Sequence, residues 1–250
     1  MTCLQEIDVV ILAGGFGTRL RAVFSDRPKV LVPVDGIPFL RRYLEWLRGF
    51  GARRVILSLG YMADLVKSYV ESEPWEGMEI ITSVEESPLG TGGAVRACLP
   101  LTHSPTLLVT NGDSVTRLDL ARFVDFHRSK SARLSMVLTY QAEVGASGLV
   151  ETDAQDAVVR FTEKPPGQSG GGYINAGLYL MEHAAVSEIP AGKPVSIEKD
   201  VFPHFCRRGF FAMKGEFPFI DIGTPESYSR AAEFFASTQE TPFDLENPDP

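Results

Sequence analysis

Cysteine and histidine are scarce in this sequence, and their spacing gives neither a disulfide framework nor a metal site. The 250 residues contain three cysteines, Cys3, Cys98 and Cys206, and four histidines. An odd number of scattered cysteines is typical of a reducing compartment, and no two of them have the short spacing of metal ligands. We therefore expect small packing or surface residues at these positions and assign them no chemistry.

Positive charge is scarce as well. Lys and Arg number 24 against 32 Asp and Glu, which gives a formal net charge of -8, and no basic stripe offsets it. This balance argues against a protein that binds nucleic acid, because such proteins carry a concentrated positive surface. An acidic protein can still bind a triphosphate if its few cations are clustered locally.

Long apolar runs are also missing. No segment reaches the length of a membrane span, and residues 1–8 carry acidic side chains where a signal peptide would be basic. The hydrophobic share of 44% and the charged share of 22% are those of a globular protein. We expect a cytoplasmic protein without a membrane partner, and a chain of this length can bury one substantial core.

What the sequence does contain is an alternation of short apolar runs with longer amphipathic ones. Strands are predicted at residues 8–12, 54–59, 78–83, 106–111, 134–140, 148–152, 157–164 and 174–181. Helices are predicted at residues 39–50, 62–71, 92–98, 118–129, 196–205 and 225–236. This alternation predicts an α/β fold with a mainly parallel sheet covered on both faces, whose ligands bind beyond the carboxyl ends of the strands.

The second half breaks the alternation, because residues 148–181 have the pattern of strands with few helices between them. We expect an antiparallel or mixed lobe there, lying over the ligand site. Residues 1–238 are predicted to form a single domain. The tail at residues 239–250 is rich in Pro and acidic residues without an apolar period, and it is predicted to be disordered.

The strongest local signal is a glycine-rich segment directly after the first predicted strand. Residues 12–20 read LAGGFGTRL. Glycines allow a close approach of the backbone and positive φ, so that successive N–H groups can point at phosphate oxygens. The segment is not a Rossmann fingerprint, because Leu20 stands where the third glycine should be, and no Walker lysine follows. Taken alone, the glycines fit a tight turn without a ligand equally well.

Two cations on the same long loop favour a phosphate site over a plain turn. Arg19 can hold a polyphosphate through bidentate hydrogen bonds, and Lys29 can act as a compact point charge. Pro28 stiffens the segment that carries Lys29. We interpret Arg21 and Arg27 as ordinary surface charges.

The segment 12–20, followed by RPK at 27–29 and VPV at 32–34, resembles the signature of the sugar-1-phosphate nucleotidyltransferase family. The resemblance implies a Rossmann-like, mixed and mainly parallel sheet flanked by helices, with residues 1–238 as one catalytic domain. It also implies a Mg²⁺-dependent transfer between a nucleoside triphosphate (NTP) and a sugar 1-phosphate. In this family the glycine loop wraps the triphosphate, the arginine stabilises the leaving pyrophosphate, and the lysine contacts the phosphates near the reacting centre.

These roles transfer to matching positions of the chain. The resemblance implies that Arg19, Lys29 and Asp113 are catalytic. It implies a nucleotide site formed by Leu12, Ala13, Gly14, Gly15, Gly17, Thr18, Arg19, Glu86, Gly90, Thr91 and Gly112. It implies a site for the sugar phosphate formed by Gly148, Glu163, Lys164, Asn175 and Gly177.

Two aspartates are the candidates for holding the metal. Asp113 follows the strand at 106–111 in the segment NGD, and Asp221 lies in the segment FIDIGTP at 219–225. Helix capping is the commoner role of an aspartate after a strand, and we assign it to Asp119. Thr224 is the better cap of the last helix, with Pro225 in its first position. Both aspartate segments resemble the metal-binding segments of the family, and only that resemblance predicts that they converge.

The sugar and the base are harder to assign. Glu198 and Asp200 fit the sugar site and a solvent-facing helix nearly equally. The segment PLGTGGA at 88–94 resembles guanylyltransferases for mannose-like sugars, above all D-glycero-D-manno-heptose 1-phosphate, and Glu86 can accept two N–H bonds from guanine. A uridylyltransferase for N-acetylmuramate 1-phosphate and a non-catalytic NDP-sugar sensor are the alternatives. The sequence leaves the oligomeric state open, a homodimer included.

Overall fold

The computed structural model describes residues 2–142, 149–162 and 170–236. Three residues of the expected sugar site, Gly148, Glu163 and Lys164, lie outside the described residues, as does the tail at 239–250. What the sequence predicts for them stays a prediction.

The described residues form strands and helices with the following bounds. The strands are β1 Asp8–Leu12, β2 Pro33–Val34, β3 Ile37–Pro38, β4 Arg54–Leu59, β5 Glu79–Val84, β6 Thr106–Asn111, β7 Ser114–Thr116, β8 Leu134–Gln141, β9 Leu149–Thr152, β10 Val158–Thr162, β11 Gly172–Glu182, β12 Phe210–Gly215 and β13 Phe219–Asp221. The α-helices are α1 Phe39–Gly49, α2 Ala63–Ser72, α3 Gly90–Cys98, α4 Leu120–Ser129, α5 His183–Ser187, α6 Phe202–Phe205, α7 Pro225–Ser229 and α8 Ala231–Ala236. Short 3-10 turns lie at Leu20–Ala22, Lys29–Leu31 and Leu99–Leu101, and a π-helical turn lies at Ile197–Val201.

A nine-stranded sheet forms the centre of the fold. Strands β5, β4, β1 and β6 are mutually parallel neighbours. Next to β6 the long β11 runs antiparallel, and β8 and β12 continue the sheet beyond it. The chain leaves β1 towards β4 and β5 and then returns to β6 on the other side of β1. This reversal creates a switch point at the carboxyl ends of β1 and β6, where such sheets bind their ligands.

Apolar side chains cover both faces of the sheet. Val9 and Ile11 of β1 belong to one buried cluster, which contains the apolar faces of α1 and α4. Val10, between them, belongs to a second cluster on the opposite face, which contains residues of α3 and α6. Successive side chains of a strand point to opposite faces, so a strand buried on both sides reads as a continuous apolar run.

The structure confirms the mixed, mainly parallel sheet with helices on both faces. Strands β1, β4 and β6 have the predicted bounds. The expected helix at 225–236 is divided at Arg230 into α7 and α8. The described strands of the second half pair antiparallel, as expected, and they extend the central sheet, because β11 pairs with β6 along one edge and with β8 along the other.

Candidate functional site

A cleft of about 210 Å³ opens at the carboxyl ends of β1 and β6, at the switch point of the sheet. Its walls are formed by Leu12, Ala13, Gly15, Gly17, Thr18, Arg19, Lys29, Val30, Gly112, Asp113 and Gly223. The structure therefore brings most of the glycine loop together with both predicted loop cations and with one predicted metal ligand.

The glycines of the loop have different surroundings. Gly17 has a φ of +57°, and a Cβ there would lie 3.3 Å from Cβ of Lys29, so glycine keeps the loop close to the lysine. A Cβ on Gly15 would meet no other atom within 4 Å. Gly14 instead packs against the turn after β4, where its Cβ would lie 3.1 Å from the nitrogen of Gly60. Gly14 supports the loop, whereas Gly15 and Gly17 line the cleft.

Lys29 lies between the two predicted metal ligands. Its Nζ is 2.6 Å from Oδ2 of Asp113 and 3.5 Å from Oδ1 of Asp221. The lysine side chain is 11% exposed, whereas those of Asp113 and Asp221 are 39% and 43% exposed. The short 3-10 turn that begins at Lys29 is held by the buried Val30 that follows it. The ammonium is thus largely covered by protein, whereas both carboxylates are partly exposed and Asp113 lines the cleft.

A pair of three-residue strands explains why these aspartates converge. Strand β13 runs antiparallel to β7, and Asp221 lies opposite Ser114. The backbone N–H of Ile222 donates to the carbonyl oxygen of Asp113 at 2.9 Å. The N–H of Gly223 donates to Oδ1 of Asp221, which orients that carboxylate. The sequence contains no local signal for this pairing, since strands of three residues are too short to show a period.

Behind Asp113 lies a buried hydroxyl pair that sequence reasoning missed. The phenol of Tyr43, on α1, is hydrogen-bonded to Oγ1 of Thr110 on β6. Burial raises the pKa of Tyr43 well above its usual range, the bond to Thr110 lowers it, and the charge of Asp113 raises it again. The phenol therefore stays neutral. In the sequence Tyr43 is indistinguishable from the other apolar residues of an amphipathic helix.

On the expected sugar side, Asn175 meets two partners. Its Nδ2 donates to the hydroxyl of Tyr179 at 2.8 Å and to Oε1 of Glu198 at 3.4 Å. Burial raises the pKa of Tyr179, and the negative charges of Glu198 and then Asp113 raise it further. The negative charges of both carboxylates thus raise the pKa of the same buried hydroxyl. Of the two readings of Glu198, the contact favours the polar cluster around Asn175 over a purely solvent-facing position.

Gly177 lies behind this cluster. It has a φ of +70°, and its Cβ would lie 2.6 Å from Nδ2 of Asn111 and 3.0 Å from Oγ of Ser114. Its N–H donates to Oδ1 of Asn175 at 3.0 Å. Gly177 thereby turns the strand and orients the asparagine, so its contact to a sugar would be indirect.

The segment expected to read the base is attached to a neighbouring loop. Gly90 has a φ of +66°, and its Cβ would lie 2.6 Å from the carbonyl oxygen of Val195. That oxygen also accepts hydrogen bonds from the two glycine amides that follow Thr91. Oγ1 of Thr91 accepts from the N–H of Ile197 at 2.9 Å. These contacts give Gly90 and Thr91 a packing role, while Glu86 is exposed.

The two capping assignments are confirmed. The side chain of Asp119 accepts a hydrogen bond from the N–H of Ala121 at the start of α4. Thr224 caps α7 in a reciprocal arrangement with Ser227, and Pro225 occupies the first turn. Asp221 therefore has no capping role.

Within the described part of the chain, no helix has the length and apolar character needed to cross a membrane.

The profile of the nucleotidyl transferase family matches residues 8–238. The mannose-1-phosphate guanylyltransferase of Mycobacterium tuberculosis is 36% identical over 91% of the chain, which spans 64% of that relative's length. The D-glycero-alpha-D-manno-heptose 1-phosphate guanylyltransferase of Aneurinibacillus thermoaerophilus is 34% identical, with 90% of the chain and 96% of the relative covered.

A solved structure is similar over almost its whole length. HddC from Yersinia pseudotuberculosis, crystallised with GMP-PN, superposes with a TM-score of 0.80 at 37% identity. The alignment covers 92% of the chain and 99% of HddC.

Proposed function

Because the chain belongs to the nucleotidyl transferase family, we propose that it joins a nucleoside triphosphate to a sugar 1-phosphate, giving an NDP-sugar and pyrophosphate. The observation that carries this proposal is the position of Lys29, which lines the glycine-loop cleft and contacts both Asp113 and Asp221. Clustered cations and carboxylates beside a glycine loop are what a transfer between phosphates requires, since catalysis there consists of positioning and charge neutralisation.

Asp113 and Asp221 fit a divalent cation. Both carboxylates contact the same ammonium group, which supports a site for positive charge between them. Mg²⁺ is usually held by one or two carboxylates, with water and substrate phosphates as its remaining ligands. We propose that these two aspartates hold Mg²⁺. When bound, the ion neutralises charge on the phosphate oxygens that it contacts.

The glycine loop would hold the triphosphate. Gly15 and Gly17 allow phosphate oxygens to approach the backbone, and Thr18 and Arg19 lie exposed on the same wall of the cleft. A guanidinium there can hold two oxygens of the β- and γ-phosphates at once. We assign Arg19 to the pyrophosphate and Lys29 to the α-phosphate, where the reaction takes place.

The transfer itself is a single displacement. An oxygen of the sugar phosphate attacks the α-phosphorus, and the bond from that phosphorus to the oxygen bridging towards the β-phosphate breaks. The electron pair leaves with pyrophosphate, whose new charge Arg19 neutralises. No general base is required, because the attacking phosphate is ionised near neutral pH. Lys29 orients the α-phosphate and stabilises the charge that develops on it.

For the substrates, we propose GTP and a manno-configured sugar 1-phosphate. The names of the two guanylyltransferase relatives support this choice, as does the PLGTGGA segment. Glu86 would accept hydrogen bonds from guanine. Asn175 would contact sugar hydroxyls, supported by Glu198, and the predicted residues Glu163 and Lys164 would complete the sugar phosphate site.

The test is pyrophosphate release with Mg²⁺, measured for GTP, UTP, CTP, ATP and dTTP. Each is paired with D-glycero-D-manno-heptose, mannose, glucose or N-acetylmuramate 1-phosphate. We expect release with GTP and a manno-configured sugar. Release with UTP alone would keep the mechanism and overturn the assignment of the base. If the protein bound an NDP-sugar but turned over no pair of NTP and sugar phosphate, we would conclude that it is a sensor and not an enzyme.

A further inference from the structure

Tyr61 contacts the glycine loop at Phe16 and, just beyond the loop, at Arg21, one on either side of Arg19 in the sequence. The residue follows β4 and precedes α2, in a turn where Met62 has a φ of 54°. Its ring centroid lies 5.6 Å from that of Phe16, inside the loop. The guanidinium of Arg21, just beyond the loop, lies 4.9 Å from the same centroid. The ring of Tyr61 thus contacts two residues, Phe16 and Arg21, that flank Arg19 in the sequence.

The backbone of the same turn supplies a third contact. The N–H of Tyr61 donates to the carbonyl oxygen of Gly14 at 3.2 Å. Gly14 and Gly60 pack backbone to backbone, since a Cβ on Gly60 would lie 2.9 Å from that same carbonyl oxygen. The start of the loop is therefore fixed by backbone atoms. Its middle and its end are fixed by the Tyr61 ring.

The exposure of the loop indicates why it needs this support. Phe16 is 53% exposed, although it is a large apolar side chain at the tip of a loop. Glycines lose more conformational freedom than other residues when they are ordered, so a loop with three of them binds phosphate weakly unless it is ordered beforehand. Arg21 also differs from the plain surface charge that the sequence suggests, because it has a specific aromatic partner.

We propose that Tyr61 is a positioning residue that orders the glycine loop for the nucleotide through its ring contacts with Phe16 and Arg21. The inference rests on the proposed function in one respect, since it takes the loop to be the triphosphate site. Tyr61 does not line the cleft. Its effect should therefore reach the nucleotide only through the loop.

The experiment compares wild type with Tyr61→Ala and Tyr61→Phe. The dissociation constant of a fluorescent GTP analogue and the KM for GTP should both rise about 5- to 30-fold in Tyr61→Ala, from the loss of one aromatic pair and one cation–π contact. The KM for the sugar phosphate should stay unchanged. Trypsin should cleave Tyr61→Ala faster after Arg19 and Arg21. Tyr61→Phe keeps the ring and should restore tight binding and slow cleavage.

Two outcomes would overturn the proposal. Nucleotide binding and cleavage rates in Tyr61→Ala equal to those of wild type would show that the ring does not order the loop. Equal defects in Tyr61→Ala and Tyr61→Phe would assign the effect to the hydroxyl. The cleavage rates do not depend on turnover, so they test the loop even if no NTP and sugar phosphate react. A failure of the proposed function is thereby distinguished from a failure of this inference.

Discussion

The Lys29 ammonium lies 2.6 Å from Oδ2 of Asp113, and both residues line the cleft that the glycine loop forms. Its second carboxylate partner, Asp221, comes from the far end of the chain and is 3.5 Å away. A divalent cation held by these two aspartates, as proposed above, would add positive charge next to the ammonium that they already contact. We therefore predict that the lysine and the metal oppose each other at this site, and that binding of the ion would release the ammonium towards the phosphates.

Replacing Lys29 by Met should consequently strengthen metal binding. We expect the dissociation constant for Mn²⁺, measured by electron paramagnetic resonance without nucleotide, to fall about tenfold, because one positive charge next to the ion is removed. Turnover should be lost at the same time. Arg27→Met is the matched control, since Arg27 pairs with Asp26 at an exposed position of the same loop, and it should leave Mn²⁺ affinity unchanged. Weaker Mn²⁺ binding in Lys29→Met would contradict the competition.

The two aspartates that follow β6 allow a second paired test. Asp113→Ala should lower turnover at least about 100-fold. The variant removes one of the two proposed Mg²⁺ ligands, so the charge on the reacting phosphates is neutralised less well. Asp119→Ala should instead lower the free energy of unfolding by about 1 kcal/mol, as expected for the loss of a helix cap, and leave turnover intact. Pyrophosphate release and urea unfolding measure the two effects. Appreciable turnover in Asp113→Ala would remove the metal assignment.

The sequence predicts the buried strands next to the site well, but it does not predict contacts between short segments that are far apart in the chain. The predicted bounds of β1 and β6 agree with the structure to the residue, because a strand covered on both faces is a continuous apolar run that ends at a loop. The pairing of Asp221 with Ser114 was out of reach, since neither three-residue strand carries a period. The ring contacts of Tyr61 were out of reach as well, because nothing in the sequence relates that turn to the glycine loop.

Two glycines with nearly the same positive φ should respond differently to substitution. Gly90 and Gly192 have φ values of +66° and +69°. A Cβ on Gly90 would lie 2.6 Å from the carbonyl oxygen of Val195, whereas a Cβ on Gly192 would have no atom within 4 Å. Gly192→Ala should cost about 1–2 kcal/mol of backbone strain, and Gly90→Ala roughly 2–4 kcal/mol because the clash is added. Urea unfolding measures both, and equal losses would contradict the packing role of Gly90.

A buried histidine at the opposite end of the sheet makes stability depend on pH. Nδ1 of His127 is 2.8 Å from Oγ of Ser135, and its Nε2 is 3.1 Å from Oε1 of Glu182. Burial lowers the pKa of His127; the hydrogen bond and the charge of Glu182 oppose this, and Arg128 adds to it. The net shift is downward, so the folded protein keeps a neutral imidazole over a range in which the unfolded chain is already protonated.

The sign of the pH effect follows from this proton balance. Because the unfolded chain binds more protons as the pH falls below about 6.5, the stability contributed by neutral His127 is present above that pH and is lost below it. The slope from one such group is at most about 1.4 kcal/mol per pH unit. Urea unfolding between about pH 5 and pH 7.5 should therefore show a smaller slope for His127→Gln than for wild type, since glutamine takes up no proton. His103→Gln, at an exposed position, is the control and should keep the slope of wild type. If His127→Gln kept that slope too, the loss of stability in acid would belong to other groups.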